Sequence, residues 1–546
     1  MVGALMAALY YLPESTGVSL PILHVGGTGP SNYSTIQAAI NAAGDEFVII
    51  VHEHTYRENV VVDKSVTIIN GSKPVIDAMG GTGFTVTAHN VTINGFNITN
   101  ASYGINCSAL GFTFSNNTIT ATMDGIYLNA TNIGYGLTGS QSFTIGNHVI
   151  HNNTIEADNA VHMVAENWGY DLQDSSSCSI GAFIITDNNV TTGSYGFYID
   201  SLKNLSCEVQ GSAQFNFGGI YVINNTIDAE KTGMYFNYLT HWGYNMTGGV
   251  ATFGDLWVTD NSITSDYTAI EFNNLYPWAY NMDDAMFSLG LFNISSNEIT
   301  AGRHGVFFNN PQNWGENVEN AANITFSGFL IAENNISVDW WGINLNNLHH
   351  WGYNMSQDSS FTMGNIKILN NNITVNPTGN NVRDGIYGNN LNRWGCSMNN
   401  SSFSMGNVLI ANNTINVTSD DGIYINNLDY WGHHMNDSLF TMGNVMVVDN
   451  NVTAYYNNEA GAEGIYIYDS NYWGYNMTNS SFTLGDFLVN RNRIYASGKG
   501  IHVPDMDYHG YKMYGTSSFL MGDIQYCHNN ITTTNHSSEG MYFDDF

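Results

Sequence analysis

Residues 426–494 have the sequence NNLDYWGHHMNDSLFTMGNVMVVDNNVTAYYNNEAGAEGIYIYDSNYWGYNMTNSSFTLGDFLVNRNRI, in which one pattern occurs twice. Each copy has a polar run that ends in Trp-Gly, then Met, a Phe-containing run that ends at Gly, and an Asn-rich turn. Short β-branched runs separated by Asn and Gly, without helical periodicity between them, predict β-strands. The stretch therefore predicts an all-β fold built from one repeated unit.

The Trp-Gly pair measures this unit along the chain. Successive tryptophans of the pattern are 74, 36, 36, 37, 43, 37 and 42 residues apart, and the first interval is two units long because Leu205 fills the intermediate position. Ile133 and His509 extend the series at its two ends. The series predicts about eleven copies of a unit of about 37 residues. Its tryptophans are Trp168, Trp242, Trp278, Trp314, Trp351, Trp394, Trp431 and Trp473.

A fixed period of this kind predicts a solenoid, here a parallel β-helix. Each coil stacks its strands on those of the next coil at about 4.8 Å, so that like residues form columns. Ile, Val and Phe columns make the core, and turn asparagines bond to the asparagines of neighbouring coils. We expect the tryptophans to form a buried stacking ladder. A Trp at every coil is too closely spaced to bind one sugar unit each.

Residues 32–71, NYSTIQAAINAAGDEFVIIVHEHTYRENVVVDKSVTIING, resemble the opening of right-handed parallel β-helix proteins of the pectin-lyase-like group. The later Asn-Asn-x-Ile and Gly-Ile-Tyr phrases are similar to the repeats of NosD-type periplasmic proteins and of archaeal surface proteins. The resemblance implies a capping helix followed by coils of 22 to 25 residues. The matching residues are Thr35, Ile36, Gln37, Ala39, Ile40, Tyr56, Glu58, Val60, Lys64 and Ser65.

The chain is accordingly predicted to have three parts. Residues 1–31 form an apolar N-terminal arm, residues 32–115 the capping helix and short coils, and residues 116–546 the long coils that carry the WGYNM insertion. The insertion is expected to stack as its own ribbon beside the helix. Two units are longer than the rest, at 376–381 (NPTGNN) and 455–462 (YYNNEAGA), and both extra loops are expected on one side.

Composition excludes several classes of function. The formal net charge is -33 with only 13 Lys and Arg, so no basic surface for nucleic acid exists. No apolar run reaches the 18 or so residues of a membrane-spanning helix. The five cysteines are dispersed and odd in number, which argues against a complete internal disulfide framework and against a metal site built from cysteines.

Potential N-glycosylation sites are dense. The sequence holds 28 Asn-X-Ser/Thr sequons, which indicates an extracellular, glycosylated surface, although Asn at turns and Thr on strands explain part of the number. Candidate sites for N-linked glycans beside the Trp pattern are Asn245, Asn354, Asn436, Asn476 and Asn479.

One column of carboxylates is the candidate metal site. Asp384, Asp421 and Glu463 precede the Gly-Ile pair of three successive units, so their side chains are expected nearly over one another. Stacked like charges are unfavourable. Either Ca²⁺ bridges them, or one carboxylate takes up a proton, or the side chains splay into solvent.

No catalytic residue is predicted. Arg383-Asp384 and Arg303-His304 each occur once, without an evident partner cluster, and the Met columns favour core packing over copper binding. We therefore expect a structural extracellular protein, not an enzyme, which forms a filament, sheath or surface lattice by homopolymerisation. Residues 1–23 of one copy would cover the C-terminal coil of the next. The alternatives are a carbohydrate-active enzyme (polysaccharide lyase, epimerase or hydrolase) and an adhesin that binds cell-surface glycans.

Overall fold

The computed structural model describes residues 20–71, 73–377, 383–456, 461–503, 506–534 and 539–543 of the 546-residue chain. Within these ranges the regular structure is one short helix, α1 (Ile36–Ala42), and many short strands. Every strand pairing in register is parallel and joins one coil to the next, as between Ile423–Asn426 and Ile465–Tyr468. The fold is a parallel β-helix, which confirms the predicted fold class.

The strands form four columns, numbered here in their order along a long coil. Column 1 contains Ser142–Ile145, Ser177–Ile180, Gln210–Phe217, Thr247–Phe253, Met286–Leu289, Asn323–Ala332, Ser360–Leu369, Ser402–Met405, Leu439–Met442, Ser481–Leu484 and Ser518–Met521. Column 2 contains Ile22–Val25, Val48–Val51, Thr67–Asn70, Thr92–Asn94, Thr113–Ser115, His148–His151, Phe183–Thr186, Ile220–Ile223, Leu256–Thr259, Phe292–Ser295, Val408–Ala411, Val445–Val448, Phe487–Asn490 and Ile524–Gln525. Asn323–Ala332 and Ser360–Leu369 extend from column 1 into column 2.

Columns 3 and 4 make the other large sheet. Column 3 contains Thr55–Tyr56, Val75–Asp77, Asn97–Ala101, Thr118–Ala121, Thr154–Glu166, Asn189–Lys203, Thr226–Ala229, Ser262–Ser265, Glu298–Ala301, Asn335–Val338, Asn372–Val375, Thr414–Val417, Asn451–Ala454, Arg493–Ala496 and Asn530–Thr533. Column 4 contains Val60–Val62, Thr82–Val86, Tyr103–Cys107, Asp124–Thr131, Met234–Phe236, Ile270–Asn273, Val306–Asn309, Ile343–Asn346, Ile386–Asn389, Ile423–Asn426, Ile465–Tyr468, Ile501–Val503 and Met541–Phe543. Thr154–Glu166 and Asn189–Lys203 extend from column 3 into column 4.

The long coils differ from the short ones by one strand and one loop. Column 2 begins at Ile22–Val25, whereas column 1 begins only at Ser142–Ile145. Column 1 has eleven strands in the described residues, one for each predicted long coil. The loop between columns 4 and 1 carries the Trp-Gly pair and the two-residue strands Met282–Asp283, Val318–Glu319, Met435–Asn436, Met477–Thr478 and Met513–Tyr514.

Helix α1 is fixed at both ends by the residues that carry the family resemblance. The Thr35 hydroxyl accepts the backbone N–H of Ala38 at 3.1 Å, and the Glu58 carboxylate accepts two further N–H groups of the first turn at 2.9 and 3.1 Å. Lys64 Nζ donates to three carbonyls at the C-terminal end. These contacts satisfy the backbone groups that a helix leaves unpaired at its ends.

A buried asparagine ladder follows column 2. The Nδ2 of each member donates to Oδ1 of the member on the next coil, at 2.9 to 3.1 Å, and also to a backbone carbonyl. The same Oδ1 accepts a backbone N–H, so the amides are satisfied without water. The ladder comprises Asn117, Asn153, Asn188, Asn225, Asn261, Asn297, Asn334, Asn371, Asn413, Asn450, Asn492 and Asn529.

The tryptophans of the repeat form a second ladder, inside the core rather than in a ribbon beside it. From Trp242 to Trp473 the ring centroids of successive coils are 4.6 to 5.2 Å apart, and the planes are tilted by 9° or less. Every member is at most 2% exposed. Trp168 lies outside this continuous stack because Leu205 intervenes, and its ring packs against Phe183.

Several expectations fall partly outside the described residues. Of the predicted arm, the structure describes residues 20–31, and Ile22–Val25 is the first strand of column 2, paired with Val48–Val51. The centres of both longer loops, 378–382 and 457–460, also lie outside. Their described ends lie between columns 3 and 4. No helix among the described residues is long and apolar enough to cross a membrane.

Candidate functional site

Three carboxylates meet at the turn that precedes column 4. One oxygen each of Asp384, Asp420 and Asp421 lie within 4.8 Å of one another. Asp384 and Asp421 take the same position on successive coils, immediately before the Gly that leads into column 4, and Asp420 precedes Asp421. We call these three residues the acidic cluster. It is the sole group of three or more His, Cys, Asp or Glu with metal-binding spacing that the described ranges contain.

Main-chain and indole donors hold the acidic cluster in place. Asp384 Oδ1 accepts the backbone N–H of Asp421 at 3.2 Å, and Asp421 Oδ1 accepts that of Glu463 at 2.7 Å. Asp384 Oδ2 accepts the indole N–H of Trp341 at 3.1 Å. The carboxylates of Asp384 and Asp421 therefore each bridge neighbouring coils, and the stacking of coils fixes their positions.

Burial and mutual repulsion disfavour the charged forms of these carboxylates. Asp384 is 4% and Asp421 9% exposed. Burial, reinforced by the charge of Asp420, raises the pKa of Asp384 well above its ordinary value, and burial with the charge of Asp384 does the same for the pKa of Asp421. Burial raises the pKa of Asp420 to about 6. The cluster consequently favours either a shared proton or a bound cation.

The structure brings together two of the three predicted metal ligands and places the third apart from them. It brings Asp384 and Asp421 together, as the repeat spacing predicts. Glu463 lies on the next coil, where its Oε2 is 3.0 Å from Nδ1 of His502. Asp420 joins the cluster instead. The Asp-Asp pair before Gly422 is the sequence feature that indicates Asp420, whereas the repeat spacing aligns only one residue of each unit.

Aromatic rings and arginines lie beside the acidic cluster. The Arg383 guanidinium lies 4.6 Å from the ring centre of Trp340 and 4.5 Å from that of Trp341. Arg303, on the coil before that of Trp340, lies 4.8 Å from the ring centre of Trp340 and 4.5 Å from that of Tyr267. Cation–π contacts of this kind stabilise a layered array of guanidinium groups and rings. The array continues the acidic cluster towards the N-terminal end of the β-helix.

The outer side of column 4 adds a stripe of large side chains next to this array. Successive coils contribute Tyr235, Glu271, Phe307, Asn344, Tyr387, Tyr424 and Tyr466 at equivalent positions. Burial raises the pKa of Glu271 to about 7. Five of the seven side chains are aromatic, one is an amide, and one is a carboxyl group whose pKa burial raises.

Sequon asparagines are accessible throughout the described chain. Of the 28, Asn535 lies outside the described residues, and each of the other 27 is exposed or half-buried. Asn354, Asn436 and Asn479 are exposed, whereas Asn245 and Asn476 are half-buried, and Asn245 donates to Glu208 Oε1 at 3.0 Å. No member of the buried asparagine ladder is a sequon asparagine. The modifiable asparagines are thus separate from those that hold the fold.

The ladder tryptophans serve packing. Each of the eight indole N–H groups donates to a backbone carbonyl of the preceding coil at 2.6 to 2.8 Å. Because the rings are buried on both faces, they are not available to stack on a sugar.

Comparison with known proteins gives one partial similarity. Over 92 residues the chain is 37% identical to a cell surface glycoprotein of Methanothermus fervidus, a match that covers 16% of this chain and 16% of that protein. No protein-family model matches the chain.

Proposed function

We propose that this protein is a structural component of an archaeal-type cell surface, a glycosylated rod that assembles with copies of itself into a filament, sheath or lattice. The observation that carries the proposal is the continuity of the two buried ladders. The asparagine ladder runs from Asn117 to Asn529, and the stacked tryptophans from Trp242 to Trp473. Because both ladders join each coil to the next without interruption over these ranges, the rod should resist bending, as a structural spacer requires.

The dimensions and surface agree with this role. The sixteen strands of column 2, counting the two that continue from column 1, give a rod about 70 Å long at about 4.8 Å per coil. Its sequons lie outward on many coils. The partial similarity to a cell surface glycoprotein supports the location.

Electron microscopy of the purified full-length chain tests the proposal. We expect ordered filaments or sheets, and sedimentation that shifts to larger species as concentration rises. A monodisperse particle at all concentrations with the mass of one chain, 60.0 kDa of polypeptide plus any attached glycans, would contradict self-assembly.

A second candidate function is cleavage of a polysaccharide, which the acidic cluster favours. A carboxyl group with a raised pKa can donate a proton to a glycosidic oxygen, and aromatic rings such as that of Tyr387 can hold a sugar. Turnover of a polysaccharide that Asp384→Asn abolishes would establish this function. Identical turnover by parent and variant would assign it to a contaminant.

A further inference from the structure

The sequons are unevenly distributed around the β-helix. Each long coil from residue 231 to 472 has an eleven-residue segment that runs from the turn before column 4, along the outer side of column 4, to the residue before the ladder Trp. We call the surface formed by these seven segments the bare face. The segments are 231–241, 267–277, 303–313, 340–350, 383–393, 420–430 and 462–472.

The bare face is rich in asparagine but has no sequon. Its segments contain fifteen asparagines, none followed by X-Ser/Thr, whereas the rest of residues 206–503 contains fifteen sequons. Part of this follows from packing, because the residue two positions after Asn389 or Asn426 is an inward-facing Leu. The second asparagine of each pair, such as Asn390 or Asn427, is followed two positions later by a residue that is not in the core. That residue is never Ser or Thr.

The side chains on the bare face are those that dominate protein interfaces. Tyr, Trp and Arg are enriched at binding hot spots. Three of the six arginines of the chain lie here, together with both tryptophans of the pair at 340–341. Tyr238, Tyr267, Tyr276 and Tyr468 are 37 to 50% exposed.

The area is sufficient for a stable contact. Seven coils at about 4.8 Å and a width of about 25 Å give about 800 Å², which is one side of a standard protein interface. Side-chain rotamers on this face are already restrained by the cation–π array of Arg303, Trp340 and Arg383. Such restraint lowers the entropy cost of association.

The charge on the bare face is divided along the rod. Its first five segments carry the basic residues Lys231, Arg303, Arg383 and Arg393 with the acids Glu271 and Asp384. Its last two segments carry acids and no basic residue: Asp420, Asp421, Asp429, Glu463 and Asp469. An antiparallel copy can place the acidic segment 420–430 opposite the segment 303–313, which carries Arg303 and no acid, a charge pairing that a two-fold axis forms twice.

We propose that the bare face is a lateral interface at which a second copy of this chain docks antiparallel. A two-fold axis between segments 340–350 and 383–393 sets Arg303 of one copy opposite half-buried Asp420 of the other. This inference rests on the proposed self-assembly and names the surface responsible for it. A glycan on this face would hold the two copies apart, which accounts for the absence of sequons.

A glycan used as a wedge tests the interface. Tyr276→Thr puts a Thr two residues after Asn274 on the bare face, and exposed Tyr276 has no role in the core. The matched control Glu319→Thr does the same for Asn317, which shares its position with the sequon asparagines Asn245 and Asn354. Parent and variants are made in a host that attaches N-glycans and in one that does not, attachment is verified by mass spectrometry, and mass is followed by sedimentation.

The expected result is loss of lateral association only for glycosylated Tyr276→Thr. Association of that species at the parent's concentration would overturn the interface. If the parent itself never associates, the proposed self-assembly fails first, which is a distinguishable outcome.

Charge reversal tests the antiparallel register. Arg303→Glu should weaken association at least tenfold, and the double variant Arg303→Glu/Asp420→Arg should recover it. Thermal melts check that each variant is folded. If the glycan on Tyr276→Thr weakens association but the double variant does not regain the association of the parent, the antiparallel register is wrong.

Discussion

Asn371 Nδ2 donates to Oδ1 of Asn413 at 2.9 Å although 42 residues separate them, whereas the preceding intervals of the ladder are 35 to 37 residues. The described ends of the longer loop of this coil lie between columns 3 and 4. The rings of Trp351 and Trp394, on the same two coils, remain 5.1 Å apart. The register of the solenoid is thus set by its buried ladders and is independent of loop length.

Removal of one ladder amide should be costly. Asn413→Ala leaves the Ile368 carbonyl without its side-chain donor and the Asn371 amide without its acceptor. We expect a loss of about 3 kcal/mol in the free energy of unfolding, because buried polar groups lose their partners. Exposed Asn416 on the following strand is the matched control, and Asn416→Ala should change stability by less than about 0.5 kcal/mol. Equal urea midpoints for the two variants would contradict the role of the ladder.

The fold could be predicted from the sequence because its determinants repeat. Asn413, Trp394 and Gly422 recur at a period that only stacked coils explain, and the segment at Thr35 to Ser65 resembles a known cap. The loop that carries Trp-Gly is expected from the sequence as a ribbon beside the helix, but its tryptophans lie in the core. Repeat spacing is the same for an outer ribbon and for a wider core, so it does not distinguish them. Periodicity also aligned Glu463 with Asp421, but a contact with His502, 39 residues further on, belongs to tertiary geometry that spacing does not reveal.

The tryptophan ladder should tolerate Leu better than Ala. Trp351→Ala removes a ring stacked on both sides and should cost about 3 to 5 kcal/mol. Trp351→Leu should cost less, because Leu205 already occupies the equivalent position between Trp168 and Trp242. Half-buried Trp257, on the outer side of column 2, provides the control. Chemical denaturation of the three variants, including Trp257→Ala, measures the difference, and a larger loss for Trp257→Ala would refute the assigned packing.

Glycan occupancy should follow exposure. Mass spectrometry of glycopeptides from a host that attaches N-glycans should find Asn354, Asn436 and Asn479 occupied more often than Asn245. A glycan on Asn245 requires its Nδ2 to leave Glu208 Oε1 and a half-buried position. Occupancy of Asn245 equal to that of Asn436 would show that attachment precedes folding and ignores the native surface.

The acidic cluster should make stability fall as pH rises. Its folded-state pKa values lie above the unfolded value of about 3.9, so the folded chain holds more protons than the unfolded chain between these limits. In metal-free buffer the cluster's contribution is greatest near pH 4 and is lost as pH rises through about 6, the pKa of Asp420. Asp421→Asn should therefore raise Tm at pH 8 and change it little at pH 4. Asp437→Asn, at an exposed turn, is the control, and parallel Tm–pH profiles for parent and Asp421→Asn would contradict the repulsion.

Bound Ca²⁺ would stabilise the acidic cluster at high pH, where repulsion between its carboxylates otherwise lowers Tm. A Glu463 variant then shows whether Glu463 is one of the ligands. If Ca²⁺ occupies the acidic cluster, adding it to chelator-treated parent at pH 8 should raise Tm, because the cation neutralises carboxylates that otherwise repel. Asp384→Asn should remove the response. Glu463→Gln should keep it, since the Glu463 carboxylate lies 3.0 Å from His502 Nδ1 and is not one of the three carboxylates whose oxygens lie within 4.8 Å of one another. A parent Tm that is the same in chelator and in Ca²⁺ would exclude a structural ion and leave proton sharing as the state of the cluster. Loss of the response in Glu463→Gln would instead restore the ligand set predicted from the repeat spacing.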